Sequence, residues 1–188
     1  MAKIGLNNFW YSVATISAVD GSITYGTPAS PGKAVTFSMT PTLADASLYA
    51  DDTLQEYDNQ VTGADITLGI DRFDDTTANA LLGHTFGTSP DTAVQISSTA
   101  DVAPYVGLGR VTRLMEDNVL KYRATVLKLV KFNEPNDEDT TRGETVTFNT
   151  YELNGKMKIP ADGKWRRRET FADLASAITW VKTELGGS

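Results

Sequence analysis

The chain has 188 residues, of which 40% are hydrophobic, and this size and composition favour one globular domain with a single core. It contains no cysteine, which excludes a disulfide framework, a thiolate nucleophile and cysteine-ligated zinc. The net charge of −7 argues against a general nucleic-acid binder, because such a protein needs a basic face.

The first half of the chain is predicted to form β-strands. Alternation of apolar and polar residues predicts strands at 8–14, 34–39 and 61–70. Pro41 is predicted to end the second of these strands. A short helix is predicted at 77–83, where Asp74 and the acids around it can cap the first turn.

Residues 40–60 fit no regular pattern and are predicted to form a long loop between two strands. A loop of this length is uncommon in a compact domain unless it has a function. The segment is not of low complexity, and its apolar residues need a surface to pack against. These residues include Leu43, Leu48, Tyr49 and Leu54.

The second half continues the β pattern and ends in a helix. Strands at 105–114 and 119–132 are predicted to form a hairpin, and Asn154-Gly155 is predicted to be a hairpin turn between two more strands. Residues 133–144 are polar and predicted to form a loop. Apolar residues at helical spacing predict a C-terminal helical extension over 170–185. The expected fold is a single mainly β domain over 1–188, with a flanking helix after the third or fourth strand.

No group of residues in the sequence points to an active site. His84 is the only histidine, which excludes His-pair metal sites and two-histidine catalysis. The acidic stretch from Asp137 lacks the ligand spacing of a calcium loop. Paired carboxylates of a glycosidase stay open, because their separation is spatial. We expect no enzymatic activity, no cofactor and no bound metal.

The charges are distributed unevenly along the chain. Residues 1–109 hold 12 acidic and 3 basic residues, hence −9, whereas residues 110–188 hold 12 acidic and 14 basic residues, hence +2. The densest basic patch is Arg166-Arg167-Arg168. It fits either contact with phosphate or pairing with acids of another protein surface, and the acidic first half favours the second interpretation. We therefore treat these arginines as a candidate inter-subunit patch.

Several segments, in order along residues 4–168, together resemble the major tail protein family of siphophages, whose members are tail tube subunits. The matching segments are Ile4 to Tyr11, Ile23 to Pro28, Leu48 to Asp52, Ala80 to His84, Ala103 to Gly109, Thr140 to Phe148 and Lys164-Trp165. The order and spacing of these segments carry the resemblance, since each segment alone is short.

The resemblance implies a β-sandwich or barrel-like domain that forms rings, expected to be hexameric, which stack into the tail tube of the virion. DNA would pass transiently through the tube without specific binding. The implied partners are other copies of the chain, the tape measure protein, and the tail terminator and tip proteins. Assembly would take place in the cytoplasm of the bacterial host, and no membrane is involved.

The resemblance also implies functional residues. Leu48, Tyr49, Ala50, Asp51 and Asp52 would belong to a loop that contacts the next ring, together with the nearby Leu43 and Leu54. An acidic lumen would keep DNA from adhering. Asp65 and Asp71 are candidates for lumen-facing acids. The alternative function is a carbohydrate-binding β-sandwich, for instance a receptor-binding or decoration module, with its aromatic strands as the glycan platform.

Overall fold

The computed structural model describes residues 2–50, 53–87, 94–136 and 150–187; at 7, 46–50 and 53–58 it describes the backbone alone. The elements within these residues are β1 (Ala2–Ile16), β2 (Ile23–Tyr25), β3 (Ala34–Ala50), β4 (Thr53–Ile70), α1 (Asp75–Leu82), β5 (Thr85–Phe86), β6 (Gln95–Ile96), β7 (Val106–Glu116), β8 (Val119–Phe132), β9 (Tyr151–Lys158), β10 (Arg166–Phe171) and α2 (Leu174–Glu184). The predicted mainly β fold is confirmed, with one helix after the fourth strand and one near the C-terminus.

Most strands belong to one antiparallel sheet in the order β2-β1-β7-β8-β9-β4-β3, while β5 and β6 pair separately. One edge of β8 pairs with β7, and its other edge is shared: Tyr122–Leu127 pair with β10 and Val130–Phe132 pair with β9. This division lets the β9-β4-β3 part fold back over β1. The Phe9 and Phe37 rings, on β1 and β3, lie 5.7 Å apart as a result.

The main core lies between the two folded parts of the sheet. Phe9, Leu108 and Leu127 face it from one side, and Ile66 and Leu68 face it from the other; all are at least 98% buried. The alternation of apolar and polar residues along each strand produces these buried faces, because successive side chains of a strand point to opposite sides of the sheet. Burying each such side chain contributes about 1.5–3 kcal/mol.

A second core lies between α2 and the outer face of β7 and β8. Val181 and Leu185 pack there against Val111 and Val126. Helix α2 begins at Leu174 rather than at residue 170, because residues 166–171 pair with β8 as β10. Asp173 is the N-cap, and its carboxylate accepts a hydrogen bond from the Ser176 amide at 2.8 Å.

The prediction of a long loop at 40–60 is wrong. Strands β3 and β4 pair from Ala34↔Ile70 to Ala50↔Thr53, so the segment is the outer part of a long β-hairpin. Pro41 is accommodated because β3 is the terminal strand of the sheet, where a missing N–H need not break a ladder. Asp51 and Asp52, between the two strands, lie outside the described residues.

The predicted turn at Asn154-Gly155 is also wrong, since both residues lie inside β9. A Cβ on Gly155 would come within 2.6 Å of the Lys131 carbonyl oxygen, so a close strand approach explains this glycine. The β7–β8 hairpin is confirmed, with Asp117 and Asn118 at positive φ in its turn. The predicted loop and strand between 133 and 150 lie largely outside the described residues.

Among the described helices, none has the length and apolar character needed to cross a membrane.

Candidate interaction surfaces

The outer part of the β3–β4 hairpin projects from the sheet, and we call residues 43–50 and 53–62 the arm. Strand β9 pairs with β4 from Gly63 to Ile70 and stops there. In the arm itself, on the side of Gly63 away from β9, the two strands pair only with each other within the described residues. Eight residues of β3, from Leu43 to Ala50, extend roughly 26 Å at about 3.3 Å per residue.

The arm is acidic, and the described side chains near its base are largely exposed. Residues 34–60 contain no lysine or arginine, and their acids are Asp45, Asp51, Asp52, Glu56 and Asp58. Leu43, at the base of the arm, is 46% exposed, and Asp45 is exposed. A lone two-stranded hairpin is marginally stable in water. The arm therefore has the features of a segment that packs on another surface.

The structure places the predicted contact residues as follows. Leu43, Leu48, Tyr49 and Ala50 lie on β3, and Leu54 lies on β4. These residues are thus brought together on one hairpin, as strand residues rather than loop residues.

The three consecutive arginines do not form one patch, because strand β10 points them to alternating faces. Arg167 points towards α2, where its Nη1 donates to Glu184 Oε2 at 2.5 Å. Arg166 and Arg168 point to the opposite face, with the Arg166 guanidinium 4.3 Å from the centroid of the Trp165 ring.

A third arginine joins Arg166 and Arg168 on their face. Arg168 of β10 and Arg110 of β7 both lie opposite Thr125 of β8, so these three residues form one row across the sheet. Arg166 lies two positions from Arg168 and faces the same way. We call Arg110, Arg166 and Arg168 the arginine cluster.

The arginine cluster lacks acids. The Arg110 side chain is half-buried, and burial, followed by the charges of Arg166 and Arg168, lowers the pKa of Arg110 to about 10. Its Nε is buried without a hydrogen-bond partner, and its guanidinium lies 4.1 Å from the centroid of the Phe37 ring. Within the described ranges none of the three forms an ion pair. Grouped, partly desolvated cations are costly unless an anion joins them.

The two candidate lumen acids lie in different settings. Asp65 is exposed on β4, opposite Lys156 of β9, whose Nζ is 4.0 Å from Asp65 Oδ1. Asp71 follows β4 and accepts a hydrogen bond from the Lys33 amide at 2.7 Å, which ties the start of β3 to the end of β4. Asp71 therefore has a structural role in the monomer.

Sequence reasoning missed the surroundings of His84. This buried side chain follows α1 and lies between two carboxylates, with Nδ1 2.9 Å from Asp101 Oδ2 and Nε2 3.1 Å from Glu134 Oε2. The contact with Asp101 raises the pKa of His84; burial opposes this increase and Glu134 adds to it. The protonated ring can donate to both acids and thereby joins three chain segments. Since the acids lie 17 and 50 residues away, no local pattern could have indicated them.

A surface cleft of about 670 Å³ lies between β2, β10 and α2. Two ion pairs lie along it: Lys128 Nζ is 2.6 Å from Asp162 Oδ2, and Arg167 pairs with Glu184. In the described part of the chain, no group of three or more histidine or acidic residues could hold a metal ion.

A comparison of the chain with protein-family models finds no match. A search among curated proteins also finds no significant match. The function is therefore inferred from the geometry above and from the ordered motifs of the sequence.

Proposed function

We propose that this chain is the tail tube subunit of a long-tailed bacteriophage. It is a structural virion protein whose copies form rings, expected to be hexameric, and whose rings stack into the conduit for DNA delivery. The family resemblance of the motifs between residues 4 and 168 suggests this identity.

The projecting arm is the observation that carries the proposal. It extends two paired strands beyond the rest of the sheet, with exposed Leu43 at its base and three acids, Asp45, Glu56 and Asp58, along its sequence. Such a hairpin gains stability by packing against a partner. In a tube, the next subunit or ring supplies that partner. A monomeric protein would have little use for a long two-stranded extension.

The free sheet edges also support self-association. In the described residues, the outer edges of β3 and β10 have no strand partner. Unpaired edges are templates for strand addition from another chain. Two different edges on one molecule suit a head-to-tail contact, and a head-to-tail contact that closes on itself generates a ring.

The acidic charge supports passage of DNA without binding. Residues 1–109 carry a net −9, so a channel lined from this part of the chain repels the phosphate backbone. The tape measure, terminator and tip proteins are proposed as partners on the basis of the family resemblance alone.

The carbohydrate-binding alternative gains no support from the tryptophans. Trp10 and Trp180 pack against the α2 core, and Trp165 packs against the main core. All three are half-buried, so these rings do not make an open platform for a sugar.

Sedimentation velocity over a wide concentration series tests the proposal. A tube subunit should change from a slow monomer to large, discrete assemblies as its concentration rises. A chain that stays monomeric throughout, and whose tryptophan fluorescence changes with added glycans, would overturn the proposal in favour of the carbohydrate-binding alternative.

A further inference from the structure

We infer that the arginine cluster, Arg110 with Arg166 and Arg168, is the docking site for the acidic arm of a second copy of the chain. The inference rests on the proposed self-assembly and names the two surfaces that meet. The bonding groups are arm carboxylates and cluster guanidinium groups.

The cluster is short of an anion. Arg110 Nε is buried with no hydrogen-bond partner, and in the described residues no carboxylate pairs with any of the three guanidinium groups. The guanidinium groups of Arg110 and Arg166 lie over the Phe37 and Trp165 rings, an arrangement that uses the guanidinium faces rather than the N–H groups at their edges. A guanidinium presents its N–H donors in a planar fork that matches a carboxylate.

The cluster is also arranged for more than one carboxylate. Arg110 and Arg168 flank Thr125 on neighbouring strands, so their Cα atoms lie roughly 10 Å apart at about 4.8 Å per strand spacing. Arg166 extends the row along β10. An acidic strand laid across this face would meet several guanidinium groups in succession.

The arm fits as the occupant by charge. Residues 34–60 carry five acids and no lysine or arginine, and Asp45 is exposed near the base of the arm. DNA is the competing anion, but a chain with a net −9 in residues 1–109 repels it at distance. Charge complementarity within the chain therefore favours the arm.

The contact must form between two copies. Arg110 stacks on Phe37, and Asp45 lies eight residues further along the same strand, about 26 Å away at about 3.3 Å per residue. A paired strand cannot fold back over that distance, so the arm cannot reach the cluster of its own chain.

Cysteine crosslinking tests the contact directly, because the chain contains no cysteine of its own. Asn59→Cys places a thiol opposite Asp45 on the arm, and Thr170→Cys places one beside Arg168 on the cluster face. Mixed and treated with a short bis-maleimide, the two variants should form a mixed dimer. Glu169→Cys, exposed on the other face of β10, is the matched control and should give at least tenfold less product. Equal yields from Thr170→Cys and Glu169→Cys would overturn the inference.

Charge variants supply the second measurement. Arg166→Gln with Arg168→Gln should raise the concentration at which assembly begins at least tenfold, whereas Arg167→Gln should change it less than twofold. If the two variants assemble alike, the inference fails while tube formation stands. If the Asn59→Cys and Thr170→Cys variants crosslink as expected but the wild type never builds rings, the docking contact stands and the tube function fails. If the glutamine pair instead abolishes binding of a short DNA duplex and crosslinking is absent, the cluster is a phosphate site and the inference is wrong.

Discussion

His84 ties the α1 end of the fold to two distant segments by contacts at both ring nitrogens. The ring can satisfy Asp101 and Glu134 together only when it is protonated, because a neutral ring has one N–H. Asp101 and Glu134 both favour the charged ring, so these contacts are strongest where the ring is protonated and both carboxylates are ionised.

We predict that these contacts of His84 make the free energy of unfolding depend on pH. The pKa of His84 is raised in the folded state, so its stabilisation is complete below the unfolded value of about 6.5 and is lost as pH rises through the folded value. His84→Gln should cost about 1 kcal/mol at pH 5.5, a modest amount because the Glu134 side chain is 66% exposed and solvent screens it. Urea denaturation at pH 5.5, 7.0 and 8.5 measures the difference between wild type and variant. A difference that is constant or grows with pH would contradict this account.

Gly109 shows how a single residue sets the distance between the sheet and α2. A Cβ at this position would overlap Val181, on the buried side of α2, and lie 2.9 Å from Cδ1 of Leu185, the residue that follows the helix. We predict that Gly109→Ala lowers the free energy of unfolding by about 1–3 kcal/mol, since the helix must shift outward. Gly5→Ala is the control, because nothing lies within 4 Å of a Cβ there. Chemical denaturation of both variants should show a loss for Gly109→Ala and a change within about 0.5 kcal/mol for Gly5→Ala. Equal effects at the two positions would contradict the close packing described.

At the scale of elements, the arm is separable from the core. Among the residues whose side chains are described, the buried residues of β4 lie between Ala64 and Ile70, and those of the main core lie outside the arm. We therefore expect that the arm can be removed without exposing this core, which makes its function testable apart from folding.

We predict that replacing residues 45–59 with Asn-Gly leaves a folded monomer that no longer assembles. Ala44 and Gln60 already pair across the hairpin, so a two-residue turn can join them. Circular dichroism and thermal melting should stay close to those of the wild type, while sedimentation should show monomer at concentrations where the wild type assembles. Assemblies formed without the arm would show that another surface drives stacking.

The elements that the sequence predicts correctly are those with local signals. The β7–β8 hairpin has its turn residues in sequence, and α1 and α2 have caps and apolar stripes. The arm was missed because Pro41 interrupts a strand pattern, and only the position of β3 at the sheet edge makes that proline acceptable. Gly155 was misread because its reason, the nearby Lys131 carbonyl, is distant in sequence.

The candidate site shows the same difference between features with local sequence signals and features that depend on distant residues. Sequence identifies the arginine triplet and the acidic, partly apolar character of the arm. It does not reveal that Arg167 turns towards Glu184 or that Arg110 joins the other two arginines, because both facts depend on how β7, β8 and β10 align. Strand register is a long-range property, and local patterns do not determine it.

At the scale of the whole molecule, a folded sheet carries an acidic projection on one part and, on another, a basic cluster that forms no ion pair within the described residues. The charge imbalance between residues 1–109 and 110–188 thus has a structural counterpart in the arm and the arginine cluster. Opposite charges on different faces favour head-to-tail contacts between copies and disfavour like-with-like contacts.

Electron microscopy of concentrated, negatively stained protein tests the central claim most directly. The account predicts closed rings with a central hole, and stacks of such rings as tubes of uniform width. The arm-deletion variant, imaged beside the wild type, should show isolated particles. A field of isolated monomers from the intact chain, at concentrations well above those needed for weak association, would contradict the claim that this protein builds a tube.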